Sequence, residues 1–369
     1  MSFIANTAFG RWPAADAGSR PLVSVVLPIR NEADHIEACL ERLIRQAYPA
    51  DRLEILVVDG RSDDGTRDVV RQVQARHPDA RIRLLDNPER VVPPALNAGI
   101  RAARGEVIVR MDGHSVPSDD YVARCVEVLA ETGAANAGGV VEPTGATRFG
   151  EAVALATGHP LGAGDARYRI GGAPGDVDTV MLGAFRRDVF AKVGLFDESM
   201  VRDQDYEMNV RIRKAGERIR FDPRVRFRYT PRGTLRGLWQ QYFEYGWWKG
   251  ETWRRHRESF RWRQLVPPAF VAGMLGLTVA APWLAAARYG WIVAAAVYLA
   301  TVLAVSVRLA RPPVGVGAVA AAFGVLHVAY GLGVVLWLAT AGRYPYRADS
   351  PRVPRLREDE VGREAEVSA

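Results

Sequence analysis

The chain has 369 residues, 48% of them hydrophobic and 25% charged, a balance that excludes a disordered chain in a length exceeding one ordinary domain. Its two cysteines, Cys39 and Cys125, exclude a disulfide scaffold and a cysteine-based zinc site. The net charge of +7 does not mark a nucleic-acid binder: no recognised binding motif is present, lysine occurs only at Lys192, Lys214 and Lys249, and the basic excess gathers in residues 231–264.

Residues 1–20 are polar, broken by Pro13 and several glycines, and read as a flexible leader without the apolar core of a signal peptide. Leu22–Pro28 (LVSVVLP) is a β-branched run of the kind buried in a parallel sheet. Residues 34–47 place Ile36, Leu40, Leu43, Ile44 and Ala47 at helical spacing. Leu53–Asp59 repeats the strand pattern, Gly65–Arg76 predicts a helix, and Ile82–Asp86 a third strand. A helix over Pro93–Ala103 and a strand over Glu106–Asp112 follow. This alternation with short connections predicts an α/β, Rossmann-like, mostly parallel sheet with helices on both faces. Ligands of such sheets sit beyond the carboxyl ends of the strands, where Asp59 and Asp112 fall.

Residues 157–176 are glycine-rich and predict a long mobile loop. Regular structure is expected again over Val177–Phe185, near 187–193, and from about 203 to 214. Residues 231–264 carry eight basic and three acidic side chains among many aromatics, including Trp239, Trp247, Trp248 and Trp253. That mixture predicts an amphipathic helix in the headgroup layer, against the alternative of a core helix capping the preceding domain. Residues 265–287, 289–307 and 312–342 lack Asp, Glu, Lys and Arg, and each reaches the ~20 residues that cross a bilayer core. We therefore expect about three transmembrane helices over 265–342 and a polar tail over 343–369. Arg308, Arg311 and the basic segment place the domain over 21–230 on the cytoplasmic side of a multi-pass protein of the cell membrane. Three crossings leave Arg343, Arg347, Arg352, Arg355 and Arg357 outside, against the charge rule, and a re-entrant span would reverse this.

Three polar constellations carry chemistry. Asp59 begins Asp-Gly-Arg-Ser-Asp-Asp-Gly-Thr, where its carboxylate could accept from a nucleobase N–H; Asp63 or Asp64 serves equally as a helix cap. Pro28–Glu32 (Pro28, Ile29, Arg30, Asn31, Glu32) lies alongside. In Arg110-Met111-Asp112-Gly113-His114, Asp112 and His114 stand on a turn after a strand and could hold a divalent cation bridging a diphosphate. An imidazole in the second place suits manganese at least as well as magnesium. Asp203-Gln204-Asp205 opens a helix: Asp203 suits the cap, and Asp205 adds a second carboxylate to the same first turn, with neighbours that match a known pattern.

The ordered set of Pro28–Glu32, Asp59–Thr66, Asn97–Ile100 with Gly105-Glu106, Asp112–His114, Gly183–Arg187, Phe196–Glu198 and Gln204-Asp205 resembles glycosyltransferase family 2 over residues 22–230. The resemblance implies a GT-A fold, a nucleoside-diphosphate sugar donor (UDP-sugar being expected), Mg2+ or Mn2+, and inversion at the anomeric carbon. Within the family the motifs and C-terminal spans are most similar to membrane glucosyltransferases of succinoglycan assembly, which extend a lipid-linked saccharide. Carried over by position, Pro28, Arg30, Asn31, Glu32, Asp59, Asp63, Asn97 and Asp112 bind the nucleotide sugar. Asp112 and His114 hold the metal, Gly183, Ala184, Phe185 and Gln204 face the acceptor, and Asp205 is the base. His114 stands where the family has a second aspartate, and Gln204 where it has glutamate. The Gln-x-x-Arg-Trp motif of processive synthases is missing its arginine after Gln240 and Gln241, which predicts one sugar added per encounter. Two rival functions are a polyisoprenyl-phosphate sugar synthase and a nucleotide-sugar-sensing subunit of a membrane transporter.

Overall fold

The computed structural model describes residues 20–340 and 342, so the leader before Arg20 and the tail from residue 343 lie outside the described residues. The chain begins with strands β1 (Val23–Ile29), β2 (Leu53–Asp59), β3 (Arg81–Asp86) and β4 (Val107–Arg110), separated by helices α1 (Ile36–Ile44), α2 (Thr66–Arg76) and α3 (Val92–Ala102). These four strands are parallel in the order β3-β2-β1-β4. Every residue of β1 is buried because both faces are covered. Val23, Val25 and Leu27 point into one apolar cluster with Leu40 and Leu43 of α1, while Val26 packs with Leu96 and Ile100 on the other face. Gly99 permits that second contact: a Cβ there would stand 2.3 Å from Val26 Cγ1.

Next come β5 (Ser115–Pro117), α4 (Tyr121–Thr132), β6 (Asn136–Pro143), α5 (Arg148–Thr157), α6 (Pro160–Ala163), α7 (Arg167–Ile170) and β7 (Gly175–Asp176). They are followed by β8 (Ala184–Arg186), α8 (Asp188–Val193), α9 (Gln204–Lys214) and β9 (Ile219–Tyr229). The full sheet runs β3-β2-β1-β4-β8-β6-β9-β5, with β7 on β9. It is more mixed than expected, since β8 runs antiparallel to both β4 and β6, and β5 antiparallel to β9. The glycine-rich stretch over 157–176 is not one long loop but holds α6 and α7, with Gly164 and Gly171 closing each at positive φ.

Helix α10 (Leu235–Arg255) follows the sheet domain, and α11 (Val266–Ala280), α12 (Ala285–Leu309) and α13 (Val316–Ala339) complete the described elements. Among the described residues, α12 and α13 are the two single helices long and apolar enough to cross a membrane by themselves. The first expected span is thus a 15-residue helix, because a turn containing Pro282 separates it from α12. Helix α10 does not rest on lipid alone: Leu238 joins Val319 and Phe323 of α13 in one apolar cluster with Ala152, Val153 and Ala156 of α5.

Candidate active site

Asp59, Ile29 and Arg110 end the adjacent parallel strands β2, β1 and β4, so the side chains that follow them share one sheet edge. Arg110 closes an otherwise apolar strand, and its buried guanidinium must find anions. It finds two: Nη2 donates to Asp112 Oδ1 at 3.0 Å, and Nη1 donates to Asp205 Oδ2. Through this bridge a carboxylate from the end of β4 meets one from the first turn of α9, 93 residues later along the chain.

Asp205 Oδ1 is buried and has no hydrogen-bond partner. Burial, with repulsion from Asp112 and Asp203, outweighs the pull of Arg110 and lifts the Asp205 carboxyl to about 6. The group remains mostly ionised at neutral pH, yet is more basic than an ordinary aspartate.

His114 turns its Nδ1 to Glu32 Oε1 at 2.8 Å, and its ring lies 5.7 Å from that of Tyr229. Burial disfavours the imidazolium, but the Glu32 hydrogen bond and the Asp112 charge prevail and hold His114 above its usual value. A carboxylate on one ring nitrogen leaves Nε2 available, the arrangement in which histidine usually ligates a metal. Among the described residues no three His, Cys, Asp or Glu side chains form a complete cation site. Asp112 and His114 therefore fit a divalent ion only where other oxygens, such as those of a diphosphate, complete its shell.

The loops after β1 and β2 are laced together. Asn31, at φ 57°, exchanges two hydrogen bonds with Asp63 (2.9 and 3.1 Å), and its N–H donates to Ser62 Oγ at 2.8 Å. Asp64, rather than Asp63, accepts from the Thr66 N–H that opens α2. Asp59 is fully buried, and its carboxylate accepts from Ser62 Oγ at 2.5 Å and Arg67 Nη1 at 3.1 Å. It faces its own loop, whereas Arg30 is exposed at the edge and Pro28 is buried in β1. A Cβ on Gly113 would press on Ile29 and Glu32, which places the Asp112–His114 turn against this loop.

Other expected residues lie elsewhere. Asn97 is a brace, donating to the Phe196 carbonyl at 2.9 Å and Glu198 at 2.8 Å. Ala184 and Phe185 are core, Phe185 packing on Phe190 and Phe196. The Gly183 carbonyl accepts from the Arg110 N–H at 3.1 Å, so this strand supports the site from behind. Gln204 is buried beside Asp205. Asp203 holds the cap position of α9 at φ 62°, but its carboxylate turns to α10, accepting from Lys249 Nζ at 2.7 Å and Thr252 Oγ1 at 2.7 Å.

The sequence reading assigned no role to Arg110 or Lys249. The available signals were a charge ending an apolar strand and one of three lysines amid an aromatic, glycine-containing helix. Next to Asp203 a groove of about 450 Å³ opens between Val201-Arg202 and α10, lined by Gln240, Phe243, Glu244, Trp247 and Trp248. It offers aromatic faces and hydrogen-bonding groups together.

Residues 24–194 match the family model for glycosyl transferase family 2. The chain is 33% identical over 315 residues to the succinoglycan biosynthesis protein ExoA of Rhizobium meliloti (strain 1021), covering 84% of this chain and 92% of that relative. It is 27% identical over 263 residues to a dolichyl N-acetyl-alpha-D-glucosaminyl phosphate 3-beta-D-2,3-diacetamido-2,3-dideoxy-beta-D-glucuronosyltransferase of Methanococcus voltae, covering 70% and 81% of the two chains. The fold is similar to that of a mannosyltransferase from Pyrobaculum calidifontis, solved with GDP-Man and Mn2+, at TM-score 0.60 and 24% identity over 87% and 88% of the chains. With a GT-A sheet, an edge cluster of carboxylates and a full-length relative at this identity, the chain belongs to glycosyl transferase family 2 and is a nucleotide-sugar-dependent glycosyltransferase of polysaccharide or glycolipid biosynthesis.

Proposed function

We propose that this enzyme is an inverting hexosyltransferase that moves a sugar from a nucleoside diphosphate to a hydroxyl of a lipid-linked saccharide, at the cytoplasmic face of a membrane it crosses more than once. The observation that carries the reading is Asp205: one carboxylate oxygen is tied to Arg110, while the other is buried and unpartnered beside Asp112. Asp205 takes the proton of the acceptor hydroxyl as its oxygen attacks the anomeric carbon. The bond to the diphosphate breaks on the opposite side, so one displacement inverts the centre. Arg110 fixes the carboxylate and limits how far its basicity rises.

Asp112 and His114 would hold Mg2+ or Mn2+ together with the donor's diphosphate. Such an ion neutralises charge developing on the leaving group. The laced loops of Arg30–Glu32 and Asp59–Asp63 would seat the nucleoside, with Asp59 acting by fixing its loop rather than by touching the base. The groove beside Trp247 and Trp248 suits an acceptor saccharide, since sugars stack on aromatic faces. Its wall is α10, which also packs on the apolar α13, the neighbourhood a lipid-linked acceptor requires.

The test is a panel of nucleoside-diphosphate hexoses, UDP- and GDP-linked, incubated with membranes containing the protein and followed by mass analysis of extracted lipids. A single added hexose on a lipid-linked saccharide, with nucleoside diphosphate released, is the expected result. Release without any sugar-bearing lipid, or donor binding without release, would refute the proposal.

A further inference from the structure

Helix α13 is apolar along its whole length, yet it is a covered helix: of its window long enough to span, 44% is buried, against 11% for α12. Its first half touches the catalytic domain, and its second half touches α10. Toward the start, Phe323 and Leu326 cluster with Ala152, Val153 and Ala156 of α5, and His327 Nε2 lies 2.8 Å from the Leu161 carbonyl. Toward the end, the Trp337 ring covers Gly250 of α10. Between them the two backbones touch: a Cβ on Gly246 would stand 2.0 Å from the Tyr330 carbonyl oxygen, and one on Gly333 2.3 Å from that of Phe243. Helix α10 is itself pinned to the catalytic domain through Lys249 and Asp203 and through Arg255 and Asp197. A helix covered along its length in this way lies against the base of the enzyme rather than standing free in lipid.

The hairpin of α11 and α12 is built differently. It leaves the catalytic domain at Arg263, which pairs with Asp165 and Asp178. It returns at Arg311, which lines a cavity of about 590 Å³ with Glu151 and His159 of the catalytic domain. The two helices run antiparallel: Phe270 stacks on Tyr298 at 4.6 Å near the base, and a Cβ on Gly290 would contact Leu277 further out. Beyond α13 both are exposed and apolar, as at Val279, Leu284, Ile292 and Val293. Arg288 and Arg308 bracket an uncharged run on α12 whose length, at 1.5 Å per residue, is roughly 30 Å, the thickness of a hydrocarbon core. Trp283, Tyr289 and Trp291 surround Arg288 at the outer end and are exposed, as the aromatic belt of a far interface would be.

We propose that α12, together with α11 lengthened by the apolar turn over 281–284, crosses the bilayer as a hairpin whose tip reaches the opposite surface, while α13 lies along the base of the enzyme without crossing. The bilayer is the occupant of the exposed hairpin, a point that rests on the membrane reading above. The crossing number is then even, and the chain beyond 340 stands on the same side as the catalytic domain. Its six arginines, Arg343, Arg347, Arg352, Arg355, Arg357 and Arg363, thereby fall on the side that the charge rule favours. This replaces the three crossings inferred from hydropathy alone.

The test is single-cysteine labelling of the full chain, in a background lacking Cys39 and Cys125, with a membrane-impermeant maleimide on intact cells and on inside-out vesicles. Glu89→Cys marks the catalytic domain, Ala286→Cys the hairpin tip and Thr340→Cys the end of α13, all exposed positions. The tip should label from one side, and the other two only from the opposite side. Trp283→Cys is a second tip probe should Ala286→Cys fail to accumulate. Labelling of Thr340→Cys from the same side as the tip would show that α13 crosses and would overturn the proposal. So would a tip that labels from neither side, or from the side of Glu89→Cys while the protein resists carbonate extraction. Release of the protein by carbonate would instead overturn the membrane reading itself.

Discussion

Arg110→Met is the sharpest perturbation of the site, because it leaves Asp112 and Asp205 without the cation that bridges them. A hydrogen bond to a charged group contributes roughly 1.5–3 kcal/mol, and about 1.4 kcal/mol corresponds to one pH unit of carboxyl titration. Asp205 therefore rises from about 6 to about 7–8 when Arg110 is lost. At pH 7 the ionised fraction falls from about nine-tenths to between about one-half and one-tenth. Turnover at pH 7 should drop ~2–10-fold through ionisation alone, with a large share recovered at pH 9. Arg110→Lys keeps the charge but not the fork that serves two carboxylates, and should fall between the two. The assay is kcat against pH at saturating donor, acceptor and metal. An acid limb unmoved from that of the native enzyme, with a loss uniform across pH, would refute the reasoning and reduce Arg110 to a packing residue.

Asp205→Asn should abolish turnover and yet stabilise the fold above pH 7. The folded carboxyl titrates near 6 against 3.8, so the stability lost as pH rises through that window, roughly 3 kcal/mol, is restored by the amide; an Asn variant less stable than the native protein at pH 8 would contradict this. His114→Asp should keep turnover while raising the ratio of Mg2+- to Mn2+-supported rates, since it replaces an imidazole by a harder oxygen ligand. Metal titrations after chelation measure that ratio, and an unchanged value would remove His114 from the metal. Lys249→Met strands the Asp203 carboxylate, whose Lys249 partner is itself buried, and should cost about 3–5 kcal/mol of stability in denaturant titrations. Adding Asp203→Asn should recover a large share; equal losses in single and double variants would show that the pair is not coupled.

The parallel half of the sheet was legible because its signal is local. Buried strands covered on both faces must be apolar throughout, and Leu53–Asp59 matches β2 residue for residue. The antiparallel half was not. Strand β8 is three residues long, and its direction is set by β4 and β6, which lie far from it in sequence. The same distinction separates the site residues. Asp112 and His114 stand out by their place after a strand, and Asp205 by neighbours that match the family pattern. The Arg110 bridge and the Lys249–Asp203 pair depend on which elements come to lie together, and a sequence motif does not carry that information.

Apolar length alone does not separate a crossing helix from a covered one. Hydropathy registers what a helix can tolerate around it, and lipid and a protein interior are equally tolerable to Val316–Ala339. What separates them is a neighbour close enough to exclude lipid, and here the glycines report it. Gly246 and Gly250 on α10 and Gly333 on α13 are the positions where side chains would collide with the opposite helix. Helix α12 faces no such contact along its outer half and keeps its apolar surface exposed. The helix that carries Lys249 is thus clamped between α13 and Asp203, two residues from Asp205. Under the proposed topology, movement of the membrane helices would reach Asp205 through α10 and its Lys249–Asp203 pair, beside the second tie at Arg255–Asp197, which makes Lys249→Met a test of coupling to the membrane as well as of stability.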